Sequence, residues 1–372
     1  MNRSTFLRII EETGHHPIGA SAATRWMQCP GSVELTYNLP DQSSPAAVEG
    51  TAAHTLAEIC LAEDCDTKDV EGYPDDMREH IQGYVDYVRN LRTPGSHMAI
   101  EYRLDLSSMI PEGMGTADVV MLSGHTLHII DLKYGLSPVS AENNKQLQIY
   151  AVGALDQLKK KGVEPKYVDL HIYQPRAGGA KVWETDPLSL AIYAETVRIA
   201  VDLCLGDDAP LNPEEKACEY CKAKATCPAL YNKSLEVVGG DFEVLPAVNS
   251  MTDDQLRLVL GHKTLIEKWL KAVEASVSAR LEHGERFDGY KMVEGRSVRK
   301  WADHAEEVLG KLLGDAAYDR KLIGITQAEK TLGKKHLSEL GITEKPPGKP
   351  TLVPDTDKRI AIGVIADDFS EI

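Results

Sequence analysis

The chain has 372 residues and carries 41 Lys and Arg against 57 Asp and Glu, a formal net charge of −16. With 42% hydrophobic and 26% charged residues it has enough apolar material for about two folded domains, and its charge balance argues against a protein that coats nucleic acid through a generally basic surface. A basic groove confined to one part of an acidic body stays open. No stretch reaches the roughly 20 apolar residues that cross a bilayer, and the amino-terminal segment lacks the apolar centre of a signal peptide, so the expected compartment is the cytoplasm. Seven cysteines in such a chain point to metal or redox chemistry rather than to a disulfide framework.

In chain order, the first forty residues mix helical and turn signals, and Pro40 to Pro45 reads as a loop. Helices are predicted from Val48 to Ala62 and from Asp75 to Leu91, the second by Ile81, Tyr84, Val85, Val88 and Leu91 at helical spacing. Met98, Ile100, Tyr102, Leu104 and Leu106 alternate with polar residues and predict a half-buried strand with those five on one face. Two apolar runs, Ala117 to Leu122 and Leu127 to Leu132, flank the turn-like SGHT and predict a hairpin. A helix from Asn143 to Lys160, a strand from Val168 to Tyr173 and a helix from Leu188 to Leu205 follow. Strand, helix and strand in succession suggest a parallel crossover, hence an α/β fold with a central mixed sheet flanked by helices. The cysteine-rich run ending at Pro228 closes a first domain, 1–235. A long helix from Asp253 to His283 opens a mainly helical region, 236–342, and 343–372 reads as a linker and acidic tail.

Chemistry concentrates in GTADVVMLSGHTLHIIDLKYG. Residues two apart on a strand share a face, so Asp131 and Lys133 project together, and hairpin pairing brings Asp118 to the same end. Two carboxylates beside a lysine make a hard-oxygen site for Mg²⁺ or Mn²⁺, with the carbonyl of Leu132 as a further ligand. The metal would polarise a phosphoryl oxygen and the lysine would stabilise charge on the scissile phosphate. His54 and Glu58 lie four apart on one helix and Gln146 and Tyr150 four apart on another. Taken singly they read as an ordinary helix histidine and ordinary surface and core residues. Cys218, Cys221 and Cys227 form C-x2-C-x5-C, and with Cys29 far upstream they suffice for a four-thiolate site that suits zinc or an iron–sulfur cluster. Cys60 and Cys204 read as buried thiols and Cys65 as a loop residue.

The order G-x-x-x-H, G-T-A-D, an apolar run ending D-x-K, and Q-x-x-x-Y resembles the PD-(D/E)XK nuclease superfamily in its RecB-like branch, over about residues 22–228. The resemblance implies a restriction-endonuclease-like core, His54, Asp118 and Asp131 as metal ligands, Lys133 as the catalytic lysine, and Gln146 and Tyr150 as a supporting motif. Asp131 stands where many relatives carry Glu. The cysteine layout, with Pro228 after the last, is similar to iron–sulfur RecB-like nucleases, including CRISPR-associated exonucleases and AddB-type subunits. It implies a [4Fe–4S] cluster on Cys29, Cys218, Cys221 and Cys227, with structural Zn²⁺ the alternative.

The whole chain also resembles an uncharacterised phage-encoded RecB-like family, which implies work on DNA recombination, replication or end processing in a bacterial host cell. The expected activity is metal-dependent DNA exonuclease; the alternative is a catalytically silent DNA-binding or adaptor protein on a nuclease fold. Expected partners are single-stranded or duplex DNA ends and a phage single-strand annealing or single-strand-binding protein, with no membrane; a homo-oligomer is left open. Secondary candidates for backbone contact are the basic groups Lys159, Lys160, Lys161 and Lys166, and Arg296, Arg299, Lys300 and Trp301. Residues 326–341 read as two short helices.

Overall fold

In the computed structural model the described residues are 3–13, 16–40, 44–239, 253–293 and 324–333, with Lys311 and Leu340. The chain divides into two compact units, Met1–Met292 and Val293–Ile372. Three helices open the first unit: α1 (Arg3–Thr13), α2 (Ala23–Gln28) and α3 (Ser32–Thr36). Next come α4 (Pro45–Ala62) and α5 (Asp75–Asn90). Ser44 caps α4 by accepting from the Ala47 N–H, and Pro45 at its first turn needs no intrahelical partner.

The sheet holds β1 (His97–Asp105), β2 (Met114–Ser123), β3 (Thr126–Leu132), β4 (Tyr167–Gln174) and β5 (Gly179–Thr185), in that spatial order. β1, β2 and β3 are antiparallel neighbours, β3 and β4 are parallel, and β4 and β5 are antiparallel. The crossover between the parallel pair is α6 (Lys145–Lys160), capped by Asn144, whose side chain accepts from the Leu147 N–H. The fold is therefore mixed α/β, with helices on the sheet and a helical carboxy-terminal region, as the hydrophobic periodicity implies. The sequence pattern assigns no element to β5. Its residues alternate between half-buried and exposed at the sheet edge, a weak signal, and Gly178 and Gly179, at φ 98° and 74°, make the reversal that brings it back on β4.

Two apolar clusters cover the two sheet faces. One joins Leu127 and Ile129 of β3 and Val168, Leu170 and Ile172 of β4 to α6 and to the amino-terminal helices, with Trp26 and Phe6 fully buried. The other joins Ile130 and Leu132 to Leu56 of α4 and to Ile81, Tyr84 and Val85 of α5. β3 is buried along almost its whole length, as a strand covered on both faces must be.

The structure corrects one reading of β1. Met98 and Ile100 pack with the α4–α5 cluster, whereas Tyr102, Leu104 and Leu106 belong to the α6 cluster. The strand changes faces at Glu101, whose φ of 46° is left-handed. Pairing passes from Ile100↔Val119 to Tyr102↔Ala117, so Glu101 and Asp118 drop out of the ladder together.

After β5 the chain forms α7 (Pro187–Leu205), α8 (Glu215–Cys218), α9 (Pro228–Gly239) and α10 (Asp253–Glu282). Leu265 of α10 is buried in a small cluster with Cys218, Cys227 and Leu230, against which Trp269 packs. In the second unit α11 spans Ile325–Leu332. Arg296, Arg299, Lys300 and Trp301, the tail 343–372 and most of 334–342 lie outside the described residues.

Candidate functional site

β2 and β3 pair so that Val119 faces Ile130, which sets Asp118 opposite Asp131. Odd-numbered residues of β3 face α6, so Asp131 and Lys133 turn toward that helix. Lys133 Nζ lies 2.8 Å from Asp131 Oδ2 and donates to Gln146 Oε1 at 3.1 Å. Gln146 Nε2 donates in turn to Asp131 Oδ1 at 3.2 Å and to Tyr150 Oη at 3.4 Å. One amide on the first turn of α6 thus holds the carboxylate, the ammonium and the phenol together. The loop leading to α6 is pinned from beneath by fully buried Gln174, which accepts from the Val139 N–H and donates to the Gly135 and Ser137 carbonyls.

On the other side of the carboxylate pair, Asp118 Oδ2 accepts from the Leu132 N–H at 2.7 Å and lies 3.4 Å from His54 Nδ1 of α4. The Leu132 peptide therefore meets Asp118 through its amide. Ligand atoms of His54, Glu101 and Asp118 all lie within 4.8 Å of one another. Glu101 is the residue that strand alternation misses: it reads there as a polar-face neighbour of Arg103 and Asp105, and only the left-handed kink turns it into the site. Glu58, one turn along α4 from His54, is exposed and reaches Glu101 only as a nearby charge.

The electrostatics are those of a site short of positive charge. Burial pushes the Asp131 carboxyl up to about 6, against the pull of Lys133 and with a further push from Asp118. Glu101 is likewise raised, first by burial and then by the charges of Asp118 and Glu58. Burial works against the charged forms of Lys133 and His54, but the neighbouring carboxylates outweigh it and hold both above their ordinary values. Asp131 Oδ2 is buried and receives no aligned hydrogen bond despite its contact with the ammonium. Oxygen-rich, negative and under-satisfied, this donor set fits a hard divalent cation with an imidazole at its margin. The residues that could hold it are His54, Glu101 and Asp118, with Asp131 across the strand pair.

The four distant cysteines also converge. Cys29, Cys218, Cys221 and Cys227 line one small cavity together with Arg25 and Ser32. Burial raises the Cys29 and Cys221 thiols and takes Cys218 to about 11, and each of these three feels other thiols of the set. Arg25, half-buried, is fixed by the Ser32 carbonyl and the Ser32 and Thr36 hydroxyls. A fixed guanidinium beside four thiols complements a metal–thiolate centre of net negative charge, so the donor set fits a cluster or zinc. Cys60 and Cys204 are buried and Cys65 half-buried; the Cys204 Sγ approaches the Trp26 carbonyl at 3.7 Å.

Lys159, Lys160, Lys161 and Lys166 are exposed at and just beyond the carboxy-terminal end of α6. Tyr150 and Lys161 are 11 residues apart, so the cluster lies about 16 Å along the axis from the site. Among the described residues no helix is long and apolar enough to cross a membrane.

A family model described as "Protein of unknown function (DUF2800)" matches residues 15–360. A solved structure described as "Crystal structure of SSO0001" is similar at 17% identity and a TM-score of 0.31, covering 60% of this chain and 94% of that one.

Proposed function

Because the chain belongs to the family described as Protein of unknown function (DUF2800), its activity is read from its own residues, and we propose that it is a metal-dependent DNA exonuclease. The proposal places it in the RecB-like branch of the PD-(D/E)XK superfamily. The observation that carries it is the convergence of Asp131, Lys133 and Gln146 with the His54, Glu101 and Asp118 group at one end of the β2–β3 pair. For a common tripeptide such as D-x-K, that company is what separates a site from a strand end.

Mg²⁺ or Mn²⁺ bound there would polarise a phosphoryl oxygen and ease deprotonation of water. The chain's own part is positional and electrostatic. Lys133 keeps its proton because two carboxylates face it, so it offers a fixed ammonium to charge developing on the scissile phosphate. Gln146 fixes both Lys133 and Asp131, which spares reorganisation during the reaction. Tyr150, tethered to Gln146, lines the same face. A net charge of −16 would restrict DNA to this site, where a bound cation would locally reverse the sign of charge. Cys29, Cys218, Cys221 and Cys227 would hold a [4Fe–4S] cluster or Zn²⁺ as a staple between the amino terminus and the end of the nuclease region.

The test is a cleavage assay of the full-length protein on end-labelled linear and circular DNA, single- and double-stranded, with Mg²⁺ or Mn²⁺. Wild type should shorten linear DNA from its ends only with metal, and Asp131→Asn and Lys133→Ala should each lose at least about 100-fold in rate. DNA binding without any metal-dependent cleavage would instead make the chain an adaptor on a nuclease fold.

A further inference from the structure

A second constellation lies on the opposite face of β3. His128 and His171 stand on the parallel strands β3 and β4 and face α5, as does Asp169, which pairs in register with His128. His128 Nδ1 is 3.1 Å from His171 Nε2 and 3.5 Å from Asp169 Oδ2. All three donor groups lie within 4.8 Å of one another. His128 and His171 are buried, the latter at 2% exposure, while the Asp169 side chain keeps about a quarter of its surface in solvent, which leaves a way in.

We propose that His128, Asp169 and His171 form a metal site, separate from the candidate active site, that takes a borderline divalent cation of the Zn²⁺ class. Two nitrogens and an oxygen around a tetrahedral zinc, at bonds of 2.0–2.1 Å, stand about 3.3 Å apart, which the separations of 3.1 and 3.5 Å already approach. Imidazole donors select zinc over Mg²⁺. The outer contact is also in place: Tyr87 Oη of α5 lies 2.7 Å from His171 Nδ1, orienting the ring whose Nε2 faces the site.

Charge supports the assignment. Among the described residues the Asp169 carboxylate accepts no hydrogen bond, and its one ion-pair contact is the imidazole of His128. It is raised by burial and further by Glu184, which faces it from β5. Burial holds both imidazoles in the neutral form that binds metal, with His171 lowered to about 3. Two buried neutral rings and two facing acids leave a negative excess that a cation would balance. Asp131 is three residues further along β3 and points to the other face, so zinc here would tie β3 to β4 beneath the strand that carries the catalytic pair.

The experiment uses full-length protein as purified, incubated with Zn²⁺, desalted and measured for zinc content and melting temperature. Asp118→Asn/Asp131→Asn serves as the background in which the candidate active site is silenced. His128→Gln and Asp169→Asn should each hold one equivalent of zinc fewer than their parent, in the wild-type and in the silenced background, and lose the corresponding zinc-dependent rise in melting temperature. Asp169 is partly exposed, so its variant folds even where His128→Gln does not. Equal zinc content in Asp169→Asn and its parent, whether in the wild-type or in the silenced background, overturns the site. Neither result depends on whether the protein cleaves DNA.

Discussion

Glu101 shows how a single residue joins backbone strain to chemistry. A left-handed conformation at a non-glycine residue costs about 1–2 kcal/mol, and here it leaves two carboxylates facing each other off the ladder. Glu101→Gln keeps the kink and removes one of the mutually repelling charges. The variant should melt no lower than wild type while its Mn²⁺ dependence of cleavage shifts at least tenfold to higher metal concentration, read by thermal melts and a metal titration. Asp105, the last residue of the same strand, behaves oppositely. Ser107, through its hydroxyl and its N–H, and Lys160 hold the Asp105 carboxyl at about 2. A carboxyl whose folded value is depressed contributes stability that is fully present above its ordinary value near 4 and is lost as pH falls toward 2. Asp105→Asn should therefore lower stability at pH 7, by no more than about 1 kcal/mol because the pair is solvent-screened. The difference from wild type should shrink in melts as pH falls from about 4 through 2. Of the site residues, Asp118, Asp131 and Lys133 are legible from strand periodicity, since a period of two fixes which side chains travel together. Glu101 is not, because its role begins where that period breaks.

At the scale of elements, the docking of α6 on β1 and β2 depends on two glycines. A Cβ at Gly115 would stand 2.7 Å from the Tyr150 ring, and one at Gly153 would stand 2.6 Å from Leu106 Cδ2 and 3.2 Å from the Asp105 carbonyl. α6 therefore lies close enough for Gln146 to reach across to Asp131 and Lys133. Gly115→Ala should cost about 1–3 kcal/mol in denaturant unfolding and lower the cleavage rate by displacing Tyr150 and, through it, Gln146. The helix itself is readable from its cap and its apolar repeat. The closeness of its approach is not, because a small residue in a sequence does not say what it will face. β5 escaped for a related reason: an edge strand is half-buried, and half-burial leaves too little contrast between its two faces.

For the whole first unit, the four-cysteine cavity is closed by segments far apart in the chain. Cys29 follows α2, Cys218, Cys221 and Cys227 span α8 to the start of α9, and Leu265 and Trp269 of α10 pack over Cys218, Cys227 and Leu230. With a [4Fe–4S] cluster at the four cysteines, as proposed, Cys221→Ser should bleach the visible colour of anaerobically purified protein and lower its melting temperature. Leu265→Ala should cost about 2–5 kcal/mol and, with a cluster held there as proposed, speed its loss without removing a ligand, which absorbance decay on exposure to a chelator would register. By itself the sequence determined the α/β class and the β3–α6–β4 crossover and singled out two carboxylates, a lysine and four cysteines as candidates, because periodicity and residue spacing are local properties of the chain. Only the tertiary structure decided that Glu101 joins His54 and Asp118, that Gln146 bridges Asp131 and Lys133, that His128, Asp169 and His171 meet beneath α5, and that α10 covers the cysteines. Those are contacts between elements, set by sheet register, by a strand that changes faces and by how closely helices pack, and none of these is written in the spacing of any one segment.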